Sequence, residues 1–392
     1  MIPYGRQHID DADIAAVIET LQSDFLTQGP KVPEFEVAIA AACQAKYAVA
    51  MNSATSALHL ACLALGVGTG DLVWTSPISF VASANCALYC GANIDFVDVD
   101  ATSGLMSVEA LTNKLASAAL HGNLPKVLIP VHLAGHSCDM ATIHRLCASY
   151  GVKIIEDASH AVGASYQDQP VGNCRYSDIT IFSFHPVKII TTAEGGMALC
   201  NDIALYSQLQ LLRSHGITRN EQDMSEPSHG PWYYQQIDLG FNYRMTELQA
   251  ALGLSQLDRL RQFIHHRIKA TEIYQQLLAD LAVELPADAI DGISAWHLYI
   301  VRLENSKQRL AVFQALRAAG IGVNVHYIPI HTQPYYQARG FQWGDFPGAE
   351  KFYSQIISLP MYATITFEQQ QQVADALKLA LQQNQQSPAA NV

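Results

Sequence analysis

Lys188 stands where a lysine can do amine chemistry. It lies in SDITIFSFHPVKIITTAEGG, residues 177–196. The run Asp178 to Phe184 is rich in β-branched and aromatic residues and predicts a strand. His185-Pro186 ends that strand, because proline cannot donate to a central ladder. Lys188 follows on an irregular segment of small, apolar and hydroxyl residues, and Gly195-Gly196 allow a tight reversal into a second strand over 197–200. A lysine held there, stripped of water, can attack a carbonyl and form a Schiff base. Taken alone, it reads first as an ordinary surface lysine after a strand.

Other residues could serve such an amine. Asp157 closes the strand KIIED. A carboxylate there could pair with a protonated pyridine nitrogen and keep the ring an electron sink, or it could cap the turn ASHAVG. His160 could touch an oxygen on that ring, or be a satisfied core histidine. Ser53-Ala54-Thr55-Ser56 opens an apolar helix and could present N–H groups and hydroxyls to a phosphate, with Ser183 adding another hydroxyl; plain N-capping explains the same serines. Phe80, in SPISF, could stack on an aromatic ring or fill the core. Asn242 and Arg244 precede a helix in a Tyr/Phe-rich stretch, where an arginine–phosphate or arginine–carboxylate contact competes with a solvated helix start. His326-Tyr327-Ile328-Pro329-Ile330-His331 has no cysteine or acid at ligand spacing, so it reads as a recognition wall or a rigid proline turn and not as a metal site. Asp95, Asp98 and Asp100 alternate along a strand and into a turn, and that periodicity accounts for all three without a cation.

The elements that must position these residues form an α/β pattern. Amphipathic helices over 11–22 and 33–45 flank the loop SDFLTQGPKV. Strands over 47–51, 72–76, 93–97, 126–131 and 153–156 then alternate with helices starting near 54, 81, 107 and 139. Such alternation predicts a mostly parallel sheet covered on both faces, with ligands beyond the carboxyl ends of its strands. A helix after Asn201 leads to a polar loop over 219–231 and to a helix near Thr246. A long helix over about 261–282 leads into a second, α+β domain: strand 297–303, helix 307–318, strand 322–326 and a last helix over 367–382. The expected division is a large domain over 1–258, a small one over 259–382 and a disordered tail over 383–392.

Composition narrows the partners. Hydrophobic residues make up 49% of the 392 and charged ones only 15%, so much of the chain belongs in a core or a subunit interface. A net charge of −12 argues against nucleic acid and anionic membranes, while a local site for an anionic small molecule stays open. The eight cysteines are scattered with no CxxC pair and read as reduced residues. The opening MIPYGRQHIDD has no signal pattern, and no apolar run reaches about 18 residues. A soluble, cytoplasmic protein is expected.

Asp157, Ser183 and Lys188 followed by AEGG resemble the fold-type I pyridoxal-phosphate enzymes. The finer pattern of NSATSALHLA, SPISFVASAN, EDASHAVGA, FSFHPVKIITTAEGG, RSHG, GFNYRMTELQAALGLSQL and HYIPIH resembles the DegT/DnrJ/EryC1/StrS sugar aminotransferases over about residues 3–375. The resemblance implies pyridoxal 5′-phosphate carried on Lys188, with Asp157 on the ring nitrogen, His160 near the ring oxygen and Phe80 against the ring face. It implies Ala54, Thr55 and Ser183 on the phosphate, helped by Asn242 of a second subunit, and hence a homodimer with a shared active site. Tyr4 and FLTQGPKVPEFE, with VHYIPIH, resemble the branch of pseudaminic acid synthesis. That likeness implies L-glutamate as donor, and C4 of a UDP-linked 4-keto-6-deoxy-N-acetylhexosamine as acceptor. Tyr4, Asp24, Phe25, Leu26, Thr27, Asn324, Val325, His326, Tyr327, His331 and Arg244 would line the nucleotide-sugar side. Another nucleotide-linked 4-keto or 3-keto sugar, or sugar dehydration, are the alternatives. A related branch that removes a sugar 3-hydroxyl carries histidine in place of Lys188, so the lysine favours amino transfer. Lys188 and Asp157 also speak against a non-catalytic regulator. Ile189 departs from the family, where a more variable and often polar residue is expected.

Overall fold

The computed structural model describes residues 1–385. Strands β1 (Tyr47–Met51), β2 (Leu72–Thr75), β3 (Asn93–Phe96), β4 (Val127–Ile129), β5 (Lys153–Asp157), β6 (Ile179–Ser183) and β7 (Gly196–Cys200) form one sheet in the order β1-β7-β6-β5-β4-β2-β3. Every pairing is parallel except the two that β7 makes with β1 and β6. The reason is connection length. Helices Ala54–Ala64, Ala82–Tyr89, Val108–His121 and Met140–Tyr150 supply crossovers between parallel strands, whereas β7 returns after a short loop and must run antiparallel. β6 and β7 are buried at all five positions each. They read as near-continuous apolar runs because both faces of the sheet are covered.

The side chains of β6 alternate between two cores. Ile179 and Ile181 pack with Val49, Leu58 and Ile155 on one face, while Phe182 and Phe184 pack with Phe35, Met197 and Ile189 on the other. Ile189 is therefore apolar here because it closes that second core.

The N-terminal helix Asp11–Leu21 is pinned to the sheet domain through one carboxylate. Asp10 caps the helix and forms a capping box with Asp13. Asp13, fully buried, accepts from the Ser255 hydroxyl at 2.7 Å and from Gln256 Nε2 at 2.7 Å, and it pairs with Arg259. Burial pushes this carboxyl up, but hydrogen bonds from Ser255, the Asp10 backbone, Arg259 and Gln256 outweigh it and hold it below its ordinary value of 3.8. Asp13→Ala should lower the unfolding free energy by about 3 kcal/mol in urea titrations, because Arg259 loses a buried partner. A depressed folded value means the contribution is complete above the unfolded value and is lost as pH falls through the folded one. The gap between variant and wild type should therefore close in acid and persist at neutral pH.

Helix Leu260–Leu278 leads into a further hydrophobic core. Its three-stranded antiparallel sheet places Tyr299–Leu303 between Val283–Glu284 and Ile356–Leu359. Helices Arg309–Ala318 and Phe367–Gln385 cover it through Val312, Leu316, Val373 and Leu377, with Tyr274 of the leading helix beneath. The expected strand over 322–326 is absent: the segment makes only single bridges, Ile321 to Ile2 and Asn324 to Ser358. The chain start blocks its extension. Gly322 N–H donates to the Ile2 carbonyl at 2.6 Å, and the edge is occupied by residues 2–4. Ile2 accordingly packs in the same core as Tyr274, Tyr299 and Val301. The real third strand, Ile356–Leu359, directly follows a helix, Pro347–Gln355, and carries no turn signal of its own. The tail expected to be disordered from residue 383 is helical through Gln385, and residues 386–392 lie outside the described residues. Among the described residues no helix is long and apolar enough to cross a membrane.

Candidate active site

A cavity of about 700 Å³ opens beyond the carboxyl ends of β5 and β6, where a parallel sheet leaves room for a ligand. Asp157 is the last residue of β5 and Ser183 the last of β6. Lys188 hangs from the loop that joins β6 to β7, and all three line the cavity. The N-terminus of helix Ala54–Ala64 forms the adjoining wall. The start of β7 lies directly against it: a Cβ on Gly196 would sit 2.4 Å from the Ala54 nitrogen, so only glycine allows this approach.

The walls of the cleft are dry enough to change Lys188. Desolvation pulls its amine down to about 7, against the opposing pull of the Asp157 charge. Three histidines face it and are uncharged at neutral pH. Desolvation, and then the nearness of Lys188, lowers His326 to about 3 and holds His160 and His297 well below 6.5. The amine is therefore the group in this wall poised to exchange a proton near neutrality. Trinitrobenzenesulfonate labelling of the apo-protein, followed by peptide mapping, should show position 188 reacting with a midpoint near pH 7. Reactivity should rise above that pH, as the free amine forms, and fall below it. A midpoint near 10 would mean that the amine is solvated.

Asp157 is held on both oxygens. Oδ1 accepts the Ser159 N–H at 3.1 Å, and Oδ2 accepts the Ser83 hydroxyl at 2.6 Å. His160 uses both ring nitrogens within the chain. Nδ1 accepts the Ala134 N–H at 3.2 Å, which puts the proton on Nε2, and Nε2 donates to the Tyr327 hydroxyl at 3.1 Å. His160 itself lines the cavity beside Tyr327, whose own hydroxyl proton is left free of the imidazole.

At the helix start, Ser53 is the cap and Ser56 is its partner. Ser53 Oγ accepts the Ser56 N–H at 3.1 Å, and Ser56 Oγ donates to Asn52 Oδ1 at 2.6 Å. The N–H groups of Ala54 and Thr55 have no intrahelical partner by their position, and both residues line the cavity. Phe80 is 60% exposed despite its size and stands on the cavity wall.

Tyr4, Asn324, Val325, His326 and Tyr327 line the same cavity from the small-domain side. The Tyr4 and His326 rings are 5.5 Å apart, and His326 Nδ1 meets the Ser358 hydroxyl at 2.8 Å. His331 is elsewhere, and this corrects its expected place on the sugar side. The turn after Pro329 drives it into the core at 0% exposure, where it bonds Glu350 at 3.0 Å and packs on Phe346. Asp24, Phe25, Leu26 and Thr27 are exposed and lie outside the cavity of their own chain, as do Asn242 and Arg244. The acidic trio are strand-end and turn residues: Asp95 pairs with Lys114 at 2.6 Å, Asp98 caps the N–H groups of Gly348 and Ala349, and Asp100 closes a turn on Thr102 and Ser103.

Sequence reasoning missed Ser83, Ser159 and His297. Ser159 shares the EDASHAVGA run with Asp157 and His160. Ser83 stands four residues after Ser79 at a helix start, a spacing that offered a clue. His297 sits in AWHLY, which reads as an ordinary core run. It is buried on the cavity wall, its ring is 4.4 Å from that of His160, and its Nδ1 has no partner among the described residues.

Known proteins resemble this chain in sequence and fold. The profile of the DegT/DnrJ/EryC1/StrS aminotransferase family matches residues 7–378. The chain is 36% identical over 382 residues to the UDP-4-amino-4,6-dideoxy-N-acetyl-beta-L-altrosamine transaminase of Campylobacter jejuni, covering 96% of each. It is 36% identical over 383 residues to the spore coat polysaccharide biosynthesis protein SpsC of Bacillus subtilis, again covering 96% of each. Among solved structures, Helicobacter pylori PseC, an aminotransferase involved in the biosynthesis of pseudoaminic acid, superposes with a TM-score of 0.89 at 31% identity, over 97% of this chain and 99% of that one.

Proposed function

This chain belongs to the DegT/DnrJ/EryC1/StrS aminotransferase family, and from that premise we propose that it moves the amino group of L-glutamate to C4 of a UDP-linked 4-keto-6-deoxy-N-acetylhexosamine. Aminotransferases of this family depend on pyridoxal 5′-phosphate. The observation that carries the reading is one amine of depressed basicity sharing a cavity with one buried carboxylate, Lys188 and Asp157.

The residues present fit that cofactor. The unpaired N–H groups of Ala54 and Thr55 and the Ser183 hydroxyl suit its phosphate, the exposed ring of Phe80 suits a ring face, and Asp157 suits a protonated ring nitrogen. When bound, the cofactor supplies an electron-poor ring that takes up the electron pair of a broken Cα–H bond. Lys188, as a free amine near neutral pH, takes the proton from the donor's α-carbon and returns it on the cofactor side. Asp157 supplies the negative charge that keeps a ring cation stable in the cleft. Tyr4, Asn324, Val325, His326 and Tyr327 form the wall that receives the sugar, and the Tyr327 hydroxyl, with its proton uncommitted to His160, offers a donor to a sugar oxygen.

The specific acceptor proposed is UDP-2-acetamido-2,6-dideoxy-β-L-arabino-hex-4-ulose, giving UDP-4-amino-4,6-dideoxy-N-acetyl-β-L-altrosamine for pseudaminic acid synthesis in the cytoplasm. Its support is the 36% identity to the transaminase of that name. A homodimer belongs to the same reading. Ile14, Ile18, Leu21, Phe25 and Leu26 are 48–55% exposed along the first helix and its following loop, an apolar stretch suited to a second copy. Asn242, Arg244 and the loop Asp24–Thr27 would then serve the cavity of that copy.

The test is a panel of nucleotide-linked 4-keto and 3-keto sugars, incubated with the cofactor-loaded protein and L-glutamate and read by mass and NMR. One 2-oxoglutarate per aminated sugar is expected, with the UDP-linked 4-keto-6-deoxy-N-acetylhexosamine turned over best. Loss of a sugar hydroxyl without 2-oxoglutarate would replace this reading with dehydration.

A further inference from the structure

We propose that Ser83, backed by Ser79, is a positioning residue that aims the Asp157 carboxylate into the cavity. The inference rests on the cofactor reading above. Ser83 and Ser79 are buried, at 1% and 4% exposure. Ser83 Oγ lies 2.6 Å from Asp157 Oδ2, and Ser79 Oγ lies 2.6 Å from Ser83 Oγ.

Proton counting fixes the direction of this chain. An ionised carboxylate only accepts, so the single Ser83 hydroxyl proton goes to Asp157. The contact between the two serines must then be made by the Ser79 proton, donated to Ser83. Two hydroxyls therefore point the same way, each polarising the next, and end on a charged acceptor, where a hydrogen bond is strongest. Oδ1 is held independently by the Ser159 N–H. With one donor fixed on each oxygen, the carboxylate cannot rotate, and its remaining lone pairs are presented to the cavity that Asp157 lines.

The placement within the chain adds a second point. Ser79 and Ser83 bracket Phe80 on one turn, closed by the Ser83 N–H donating to the Phe80 carbonyl at 3.3 Å. Phe80 turns outward onto the cavity wall while the two hydroxyls run inward to Asp157. One short segment thus sets both the wall for a ring face and the orientation of the group for the ring nitrogen. A capping role accounts for neither hydroxyl: the N-cap position of helix Ala82–Tyr89 is Val81, with no side-chain cap.

The test compares wild type, Ser83→Ala and Ser79→Ala. Apo-protein is titrated with pyridoxal phosphate, and the amino-donor half-reaction is then followed with L-glutamate. Ser83→Ala should weaken cofactor binding several-fold and slow the half-reaction about tenfold, as expected for one lost hydrogen bond to a charge. KM for glutamate should stay unchanged, because the Ser83 hydroxyl is committed to Asp157. Ser79→Ala, which leaves the contact to Asp157 intact, should move the same two quantities in the same direction by less. Wild-type cofactor affinity and half-reaction rate in Ser83→Ala would overturn the positioning role. A matching rise in KM with kcat unchanged would also overturn it, as the mark of general loosening of the cleft. Failure of the wild type itself to take up pyridoxal phosphate would instead overturn the cofactor reading beneath it.

Discussion

Lys188→Ala should abolish amino transfer while leaving a folded protein. The side chain hangs from a loop at the edge of an open cavity, and its amine is held at about 7 because the fold deprives it of water. Truncation removes a group that the folded state had to desolvate, so little stability is lost with it. Catalysis loses two things at once: the nucleophile that would hold the cofactor and the base that would move the proton. General acid–base assistance alone contributes roughly 10²–10⁴-fold, and a fall in kcat of about 10⁴-fold or more is expected. Lys188→Arg separates charge from proton transfer. Arginine keeps a cation in the cleft but does not give up its proton in proteins, so it should be as inactive as alanine. Release of 2-oxoglutarate measures turnover, and retention of pyridoxal phosphate through dialysis measures the covalent hold. Turnover within tenfold of wild type in Lys188→Ala would remove this lysine from the chemistry.

Lys188 and Asp157 were legible because each sits beside a strand that announces itself locally. SDITIFSF alternates between two cores, and KIIED is a buried apolar run ending in an acid, so Asp157 falls at a strand's carboxyl end and Lys188 on the loop that follows one. The same local reasoning misplaced residues whose positions are set by partners remote in sequence. Residues 322–326 have strand composition, yet the chain start takes their edge, a contact more than three hundred residues away along the chain. His331 follows the same polar-ringed turn as His326 and Tyr327, yet one turn beyond Pro329 the backbone has swung it into an aromatic core. Ser83 was hidden for a different reason. A serine near a helix start has a ready explanation as a cap, and only the fold brings it to Asp157, 74 residues away. Asn242, Arg244 and Asp24 to Thr27 illustrate the remaining limit: they lie outside the cavity of their own chain, and only the proposed homodimer would bring them to a site, which no local pattern describes.

Asp157→Asn is the complementary substitution, and it should cost about 10²–10³-fold in kcat/KM. Asparagine matches aspartate in size, so the loss measures charge. A cation buried in the cleft without its anion loses about 3–4 kcal/mol, which corresponds to that factor in rate. The exchange also puts an amide group where a carboxylate met two donors. One of its termini then either faces the Ser83 hydroxyl or the Ser159 N–H with a donor of its own, or turns its only carbonyl away from the cavity. The variant has a second consequence that needs no cofactor. Desolvation pulls the Lys188 amine down, and the Asp157 charge pulls it up. Removing that charge leaves desolvation unopposed, so the amine in the Asp157→Asn apo-protein should fall further below about 7. More of it is then free at neutral pH, and its labelling midpoint moves to lower pH than in the wild type. Activity and amine reactivity should therefore change in opposite directions: transfer collapses while the lysine becomes the more reactive nucleophile. An unchanged midpoint would show that the two groups do not feel one another across the cavity, and the pairing on which the chemistry depends would be lost.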